Sequence, residues 1–381
     1  MSSYDVIVLG LGGMGSSTVA QLAARGQHVL GLERFQPAHD FGSSHGESRI
    51  IRQAYFESPI YVPLLLRAYE LWAQLEADSG QQLMLKTGGI FVGAEQSHVV
   101  TGSIRSAEAF NIPHEVLNAH EISRRFPMIQ PATNHVALYE PDAGVVFPEA
   151  TIRSSLQVAD RRGAELHFGE QVLAWEADPD GDGVLVETNR DTYAAERLIV
   201  TAGAWAGQML RNLNLPLQSE RVMMHWFEPN AGVDHFAPGQ FPVHIWELEE
   251  GVNFYGFPAL GGPKEGVKIA FHNLLRTDCD PDSVDRIVYG HEIETMRTYV
   301  RRFFPEMDGR HLMAKTCMYM SSPDDDFIID RHPEFPQVVF ATGFSGHGFK
   351  FVSVMGEVLA ELSCQGRSRH AIDAFSMARF Q

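Results

Sequence analysis

The chain has 381 residues, with 48 acidic and 30 basic side chains that give it a net charge of −18. This balance argues against nucleic-acid and anionic-membrane partners, because both require a basic surface. A hydrophobic content of 44% and a charged content of 20% are ordinary globular values, and the length allows two domains. The three cysteines, Cys279, Cys317 and Cys364, are spaced too widely for a disulfide framework or a zinc site, and we expect no metal.

The first 33 residues carry the pattern of a dinucleotide-binding unit. The apolar run 4–9 predicts a buried strand, Gly10-Leu11-Gly12-Gly13-Met14-Gly15 follows it, and a helical pattern then closes at Gly26. A second strand over 28–32 leads into an acid. Such glycines permit a tight turn, approach of a pyrophosphate and close packing of helix on strand, while the acid can accept both ribose hydroxyls. The residues assigned to the cofactor here are Gly10, Gly12, Gly15 and Glu33.

A turn-rich segment over 42–52 follows, with small residues, a histidine and two arginines. Its composition suits cofactor contacts, and it equally suits a solvated loop. A second small-residue turn, 201–205, comes directly after a predicted strand and suits close approach of a cofactor. Alternation over 267–272 puts Lys268 and His272 on one face of a strand, which is either exposed to solvent or the wall of a polar cavity.

The middle of the chain otherwise predicts a mixture of helices and short strands. Asn118 with Glu121 three residues later has the spacing of a capping box, and 178–183 has the composition of a hairpin turn. The segment 221–256 is rich in strands and aromatic residues and is typical of a β-sheet core. Predicted helices cover 58–77, 104–110, 119–126 and 147–161, and predicted strands cover 83–92, 165–175, 183–187 and 193–200.

The C-terminal part repeats the order of strand, glycine-rich turn and helix. The apolar run 338–340 predicts a strand, Gly343-Phe344-Ser345-Gly346-His347-Gly348 forms the turn, and apolar residues at helical spacing over 351–362 predict a helix that Gly366 can stop. A turn of this kind directs free backbone N–H groups and the positive end of a helix dipole at whatever lies before it. By itself this signal is weak, and the N-terminal unit strengthens it.

Three stretches together resemble the monomeric sarcosine oxidase and N-methyltryptophan oxidase family, flavin-dependent amine oxidases of the D-amino-acid-oxidase type. They are the N-terminal fingerprint with Glu33, the segment 42–52, and 317–350 with its Cys-Met-Tyr and Gly-Phe-Ser-Gly-His-Gly-Phe-Lys motifs. The likeness runs from end to end of the chain and includes Tyr-Gly-Phe-Pro at 255–258 and Lys268.

The resemblance implies a role for individual residues. Cys317 would carry FAD through a thioether to the flavin 8α-methyl group. Lys268 would activate O2, since a fixed cation stabilises developing superoxide, and Arg52 with Lys350 would bind the substrate carboxylate. The family's other active-site positions fall on His45, Arg49, Tyr255, His272 and Tyr319, and its other cofactor contacts fall on Arg34, Ser43, Ser44, Ser48, Val172, Gly343, Gly346, Gly348 and Lys350.

Several residues depart from the family pattern. Ser44, Glu47 and Ser48 stand where the family loop commonly has His, Asp and Thr, and Gln53 replaces a His. The segment 261–265 is slightly longer, so the lysine assigned to O2 is placed by the Ile-Ala-Phe-His that follows it. These departures concern the pocket and the substrate rather than the chemistry.

Two glycine-rich turns suit FAD for a physical reason. The N-terminal turn can take the pyrophosphate, while the isoalloxazine needs a separate anchor. The turn 343–348 and the helix after it can aim donors at the N1/C2-oxygen end of the flavin, which becomes anionic on reduction. An NAD enzyme would not need this second turn.

We therefore expect an α/β (α+β) protein with two domains interleaved along the chain. A Rossmann-like FAD-binding domain would comprise 1–85, 149–215 and 320–381. A substrate domain with a mostly antiparallel β-sheet would comprise 86–148 and 216–319. The active site would lie between the two domains.

The expected reaction is oxidation of N-methylated amino acids such as sarcosine or N-methyltryptophan. A hydride would leave the N–CH bond, the imine would hydrolyse to an aldehyde and an amine, and O2 would become H2O2. A neutral amine needs no general base, and none is assigned. Two alternatives are a flavin amine or imino-acid dehydrogenase that uses another acceptor, with Lys268 merely structural, and a non-catalytic FAD-binding protein, which only Ser44 and Gln53 could support.

The expected partners are small molecules only, namely the amino acid and O2. The N-terminus enters a predicted strand directly, without a cleavable apolar leader, and no apolar run of about 18 residues occurs. We expect a cytoplasmic protein that is a monomer or a weak homo-oligomer.

Overall fold

The computed structural model describes residues 3–179, 181, 183–261 and 266–380. Within these residues it contains twenty β-strands and eight α-helices, arranged in two large sheets and a small three-stranded one. The helices are α1 (Gly13–Ala24), α2 (Val62–Ser79), α3 (His98–Ala109), α4 (Ala119–Arg125), α5 (Pro148–Arg161), α6 (Ala206–Met209), α7 (Gly290–Phe303) and α8 (Val352–Gln365). The strands are β1 (Ser3–Leu9), β2 (Val29–Glu33), β3 (Arg49–Ile51), β4 (Met84–Lys86), β5 (Gly89–Ala94), β6 (Glu115–Asn118), β7 (His135–Glu140), β8 (Gly144–Val146), β9 (Glu165–Phe168), β10 (Val172–Ala177), β11 (Val184–Thr188), β12 (Thr192–Val200), β13 (Gln218–Phe227), β14 (Val243–Glu247), β15 (Asn253–Gly256), β16 (Val267–Phe271), β17 (Thr277–Asp278), β18 (His311–Ser321), β19 (Ile328–Arg331) and β20 (Val338–Thr342).

The first large sheet has a parallel core of β9, β2, β1, β12 and β20, in that order. Antiparallel strands β10, β11 and β19 extend it. Strands β1, β2 and β20 are apolar and almost wholly buried, as expected of a sheet covered on both faces, whereas β9 at the edge and the first half of β12 are partly exposed. Helix α1 packs against α5 and α8, which brings the N-terminal and C-terminal units together. Because parallel strands end at the same edge, the turns after β1, β12 and β20 lie near one another.

The second large sheet runs β17-β13-β16-β15-β14-β5-β7-β6, and β18 also pairs with β13. Its pairs are antiparallel except β5 with β14. A separate core cluster beneath it is rich in aromatic side chains, including Phe227, Trp246, Phe254 and Phe303. The predicted fold class, a Rossmann-like part with a mostly antiparallel second sheet, is confirmed.

The two large sheets take their strands from different parts of the chain. The first uses strands within 3–33, 165–200 and 328–342, and the second uses strands within 89–140 and 218–321. Each sheet is therefore assembled from segments far apart in the chain. The exact domain boundaries named above stay a prediction.

Two predicted strands are each divided by a glycine with left-handed backbone. The prediction over 83–92 divides into β4 and β5, which belong to different sheets and flank Gly88 with φ +69°. The prediction over 165–175 divides into β9 and β10 around Gly169 with φ +64°. The apolar pattern continues on both sides of each glycine although the chain changes direction, and so the pattern predicted one strand in each case.

The predicted helices are present, with some shifted starts. Residues 59–61 form a separate turn before α2, and α3 begins at His98, where the Ser97 side chain accepts from the next turn's backbone. The capping box of Asn118 and Glu121 is confirmed at α4. None of the helices among the described residues is long and apolar enough to cross a membrane.

Two sequence interpretations fall partly or wholly on residues that the structure does not describe. The predicted hairpin turn 178–183 includes Asp180 and Asp182, which lie outside the described residues. The slightly longer segment 261–265 includes 262–265, which also lie outside them.

Candidate active site

A long cavity opens at the edge of the first sheet where the parallel strands end. Its wall takes residues from the turns after β1, β2, β12 and β20, so both glycine-rich units and the turn 201–205 face one space. The segment 42–44 contributes to the wall as well. The predicted site residues on this wall are Gly10, Gly12, Glu33, Arg34, Ser43, Ser44, Arg49, Val172, Tyr319, Gly346 and Gly348.

The first turn requires its glycines for two different reasons. Gly10 has φ +87°, and a Cβ there would lie 2.6 Å from the carbonyl oxygen of Thr201. A Cβ on Gly15 would lie 1.8 Å from the carbonyl oxygen of Gly10, so α1 can approach β1 only with glycine there. A Cβ on Gly12 would meet nothing within 4 Å. The space at the N-terminus of α1 is therefore open to an anionic group such as a pyrophosphate.

Glu33 ends β2 with its carboxylate buried at the cavity wall. Its Oε2 accepts from the backbone N–H of Leu11 at 2.8 Å and its Oε1 from that of Phe35 at 2.9 Å. Each carboxylate oxygen keeps a second lone pair, so Glu33 can still accept ribose hydroxyls. Arg34 lies nearer the surface, where its guanidinium donates to Asp282 at 2.5 Å.

His45 and Thr342 carry buried polar atoms that find no hydrogen-bond partner among the described residues. They are both ring nitrogens of His45, whose residue is 1% exposed, and the hydroxyl of Thr342, which is on the wall of the long cavity. Burial, aided by the positive charge of Arg49, lowers the pKa of His45 to about 2, so its ring is neutral. Buried polar groups rarely stay unpaired, so these atoms fit a site that receives a polar cofactor.

Cys317 lies close to Arg49 and is 2% exposed. The Arg49 guanidinium donates to the carbonyl oxygen of Ser43 at 2.8 Å and lies 3.7 Å from Cys317 Sγ. Burial and neighbouring acidic groups raise the pKa of Cys279 to about 11, and burial also raises the pKa of Cys364.

A second cavity, with a volume of about 400 Å³, adjoins the first and shares Arg49, Gly346 and Phe349 with it. Its wall is mixed in character, with cationic, acidic, aromatic and aliphatic side chains. The predicted site residues on this wall are Arg49, Arg52, Tyr255, His272, Gly346 and Lys350.

Arg52 is occupied by an acidic partner that sequence reasoning missed. Its Nη2 donates to both carboxylate oxygens of Glu57, at 2.7 and 2.6 Å, and its Nη1 donates to the carbonyl oxygen of Ala54 at 3.1 Å. The guanidinium lies over the rings of Tyr55 and Phe56, 4.1 and 4.2 Å from their centroids. Arg52 is therefore already paired with an acid, although its Nε is buried without a hydrogen-bond partner among the described residues and can still donate to a substrate carboxylate.

Lys350, unlike Arg52, donates to a backbone oxygen rather than to a carboxylate. Its Nζ donates to the carbonyl oxygen of His347 at 2.6 Å, one bond of the three that an ammonium can make. Burial and the nearby charge of Arg52 lower its pKa to about 7. Lys350 can therefore make two further hydrogen bonds to a new anion.

Three further predicted residues meet where the two cavities join. The hydroxyl groups of Tyr255 and Tyr319 lie 3.4 Å apart, and the ring of His272 lies 5.7 Å from that of Tyr319. Burial, helped by the charge of Arg276, lowers the pKa of His272 to about 4, so this imidazole is neutral near pH 7. Burial raises the pKa of both tyrosines, which are therefore neutral as well.

Lys268 lies behind the segment 46–48 and is 2% exposed. Its Nζ donates to the carbonyl oxygens of Gly46 at 2.6 Å and Ser48 at 2.9 Å, and to Ser48 Oγ at 3.1 Å. Burial lowers its pKa well below the usual value, and the charge of Arg49 lowers it further. It can thus act on the cavities through its charge or through this segment, because its protons are directed at protein oxygens.

Six predicted residues lie off the walls of both cavities: Gly15, His45, Ser48, Lys268, Cys317 and Gly343.

Sequence reasoning missed three acidic residues around the site, Glu57, Glu140 and Glu149. Glu57 follows Arg52 by five residues, a spacing that could have suggested a local ion pair. Glu140 accepts from two consecutive backbone N–H groups just after Arg52, and no local pattern signals it.

The wall of the long cavity contains the glycine-rich turn after β1, the acid Glu33 at the end of β2 and the glycine-rich turn after β20. The first two are the arrangement of a dinucleotide-binding site. Residues 5–362 match the model of the FAD dependent oxidoreductase family. The chain belongs to this family and is an FAD-dependent oxidoreductase.

The more specific resemblance is confirmed as well. The chain is 50% identical to a monomeric sarcosine oxidase of Streptomyces avermitilis, over 99% of this chain and 98% of that protein. It is 34% identical to an N-methyl-L-tryptophan oxidase of Yersinia pestis, over 99% of this chain and 100% of that protein. Among solved structures, NikD, an unusual amino acid oxidase essential for nikkomycin biosynthesis, matches with a TM-score of 0.86 at 23% identity over 99% of this chain and 98% of that one, a likeness of fold.

Proposed function

We propose that the protein oxidises N-methylated amino acids, such as sarcosine or N-methyltryptophan, with FAD as the cofactor and O2 as the acceptor. The carbon bonded to the substrate nitrogen gives up a hydride to the flavin, which leaves an imine. The imine takes up water to give an aldehyde and the demethylated amine. O2 takes up the two electrons with two protons and leaves as H2O2. The observation that carries this proposal is the second cavity, with Lys350 on its wall, which shares Arg49, Gly346 and Phe349 with the long dinucleotide-binding cavity.

When bound, FAD supplies the two-electron acceptor that no side chain of the protein provides. The open space at Gly12 suits its pyrophosphate, and Glu33 suits its ribose. The turn 343–348 is the proposed neighbour of the ring system. The thiol of Cys317 is the proposed point of covalent attachment, since a guanidinium lies 3.7 Å from its sulfur.

The proposed reaction takes the substrate amine in its neutral form. The wall of the second cavity carries charges of both signs, and the neutral imidazole of His272 adds none. The cationic groups are Arg49, Arg52, Arg276 and Lys350, and the acidic ones are Glu57, Asp324, Asp325 and Asp326. Because a neutral amine can give up a hydride directly, the proposed reaction needs no general base, and none is assigned.

Oxygen uptake tests the reaction directly. We expect the enzyme to consume O2 and form H2O2 with at least one of sarcosine, N-methyltryptophan, pipecolate, proline or a glycated amino acid in an oxygen electrode. The cavity volume of about 400 Å³ is why substrates larger than sarcosine belong in the screen. Turnover with an artificial dye but not with O2 would instead establish a dehydrogenase, which the position of Lys268 off the cavity walls would suit.

Lys350 is proposed to hold the substrate carboxylate. A charge-assisted contact of roughly 1.5–3 kcal/mol implies that Lys350→Met weakens binding of a carboxylate inhibitor by about 10- to 150-fold. Because the free enzyme's Lys350 has a pKa of about 7, its ammonium is present below that pH and is lost above it. Inhibitor affinity, measured by spectral titration, should therefore fall as the pH rises through about 7.

The same titration in Lys350→Met separates this lysine from Glu140, whose pKa burial raises to about 7 as well. The fall near pH 7 should disappear in the variant if Lys350 causes it. Lys86→Met is the control, because Lys86 is an exposed lysine whose Nζ pairs with Asp142 at 2.6 Å, outside both cavities. Unchanged inhibitor affinity in Lys350→Met would show that the carboxylate is held elsewhere.

We also propose a cytoplasmic, monomeric protein. Cys279, Cys317 and Cys364 form no disulfide, and a reducing compartment preserves thiols such as those of Cys279 and Cys364. The relative from Streptomyces avermitilis is named a monomeric enzyme.

A further inference from the structure

The segment 46–48 has an unusual backbone that must be held by its surroundings. Gly46 and Glu47 both have positive φ, +90° and +71°, and the left-handed region is costly for a residue with a side chain. A Cβ on Gly46 would lie 2.6 Å from Met224 Cε, so a side chain there would have to displace the end of Met224 as well as adopt the left-handed backbone. The backbone N–H groups of the segment donate to one partner, and its carbonyl oxygens accept from another.

The partner of the N–H groups is Glu149, a side chain 103 residues away. Its Oε1 accepts from Gly46 N at 2.7 Å and from Glu47 N at 3.1 Å, and its Oε2 lies 3.2 Å from Glu47 N. Glu149 follows Pro148 in the first turn of α5, where the helix dipole favours a carboxylate. A charged acceptor shared by two N–H groups is among the stronger hydrogen-bonding arrangements in proteins.

The partner of the carbonyl oxygens is Lys268. Gly46 O and Ser48 O accept two of the three hydrogen bonds from its Nζ, and the hydroxyl of Ser48 accepts the third. The rings of Phe257 and Trp226 cover the ammonium at 4.6 and 5.4 Å from their centroids. The three-residue segment thus links a carboxylate on α5 to an ammonium on β16.

Lys268 has both positively and negatively charged neighbours. Arg49 opposes its protonation, whereas the thiol of Cys317 and the carboxylates of Glu149 and Glu47 favour it, and His45 is neutral. Glu47 points toward solvent, with a side chain 41% exposed and 3.8 Å from Lys315. Glu149 is consequently the acid that both offsets the buried cations and fixes the backbone to which Lys268 is bound.

We propose that Glu149 is the positioning residue of the Lys268 centre, holding the 46–48 segment so that its oxygens receive the ammonium and supplying the carboxylate that keeps that ammonium charged. This inference rests on the proposed function, with O2 as the acceptor, and on the role in the O2 reaction that the family resemblance implies for Lys268. Glu149 itself acts only through the segment and Lys268.

Two variants separate the geometric effect from the charge. Glu149→Gln keeps an oxygen that can accept from Gly46 and Glu47 but removes the charge, whereas Glu149→Ala removes both. In stopped flow at pH 7 we expect Glu149→Ala to slow reoxidation by O2 by about 10- to 100-fold, the range for a displaced catalytic group, with anaerobic reduction by substrate nearly unchanged. Glu149→Gln should slow reoxidation less.

The pH dependence distinguishes positioning from general damage. The O2 reaction needs the Lys268 ammonium, so its rate falls as the pH rises through the pKa of Lys268. Without the Glu149 charge that fall should begin at a lower pH. Lowering the pH should then restore the rate of Glu149→Gln but not that of Glu149→Ala, which lacks the backbone contacts.

A double-mutant cycle in denaturant unfolding of the holoenzyme gives a readout independent of activity. Glu149→Ala should destabilise the wild-type protein more than it destabilises the Lys268→Met variant. Glu76→Ala is the matched control, because Glu76 Oε1 also accepts from two consecutive backbone N–H groups, those of Leu83 and Met84, at 2.7 and 2.9 Å. Its loss should lower stability equally in both backgrounds and slow neither half-reaction selectively.

The possible failures can be told apart. Reoxidation by Glu149→Ala at the wild-type rate, or equal slowing of both half-reactions without energetic linkage to Lys268, would overturn the inference while Lys268→Met remains slow. If Lys268→Met itself reoxidises normally, the proposed role of Lys268 fails and the inference about Glu149 fails with it. Should Glu149→Ala not fold, the pH dependence of Glu149→Gln alone decides.

Discussion

Lys268→Met is expected to slow reoxidation by O2 by about 10²- to 10³-fold, the usual cost of removing one preorganised charge-stabilising group. Anaerobic reduction by substrate should change little, because hydride transfer develops no superoxide. Methionine keeps an unbranched apolar chain against Trp226 and Phe257, so the variant removes the charge with little loss of packing. Stopped-flow measurement of the two half-reactions separates these effects.

The control for this experiment is Lys86→Met, the exposed lysine described above, which should leave both half-reactions unchanged. Equal slowing of both half-reactions in Lys268→Met would make Lys268 a structural residue that supports the 46–48 segment. Wild-type rates in both would remove it from the reaction altogether. Because the Lys268 ammonium donates all three of its N–H groups to protein oxygens, any effect on O2 must come from its charge or from the segment that it holds.

Cys317→Ser is expected to abolish covalent attachment of the flavin completely. A serine hydroxyl is a far weaker nucleophile than a thiol near neutral pH, and the neighbouring Arg49 cannot compensate for that difference. After acid precipitation, wild-type protein should retain yellow colour in the pellet, and Cys317→Ser should release all of it to the supernatant.

Cys364→Ser is the matched control, because Cys364 is another free thiol that lies off both cavity walls. Its pellet should stay as yellow as that of the wild type. A colourless wild-type pellet would contradict covalent attachment, and a yellow Cys317→Ser pellet would move the attachment to another residue. Either result leaves the binding of FAD by the family's fold untouched.

The sequence determined those features that depend on residues close together in the chain. Gly10 and Gly15 follow a buried strand and begin a helix, and a Cβ on Gly15 would clash with the carbonyl oxygen of Gly10 within that short unit, whereas the clash at Gly10 is with Thr201, which only the fold brings near. Glu33 ends the next strand, so its place at the cavity wall follows from the same local order. The C-terminal turn before α8 was recognisable for the same reason, and together these units were enough to predict the cofactor.

The tertiary structure alone decided what surrounds the predicted cations. Arg52 was predicted to bind the substrate carboxylate. In the fold its Nη2 instead pairs with both carboxylate oxygens of Glu57, and its guanidinium lies over two aromatic rings. Lys268 donates to the carbonyl oxygen of Gly46, which is 222 residues away along the chain, and Glu149 accepts from the N–H of the same glycine across 103 residues. Periodicity and motif spacing report only neighbours along the chain, whereas these contacts exist because α5, β16 and the 46–48 segment are packed against one another. Burial then lowers the pKa of Lys268, since desolvation depends on every element around a group and not on its sequence neighbours.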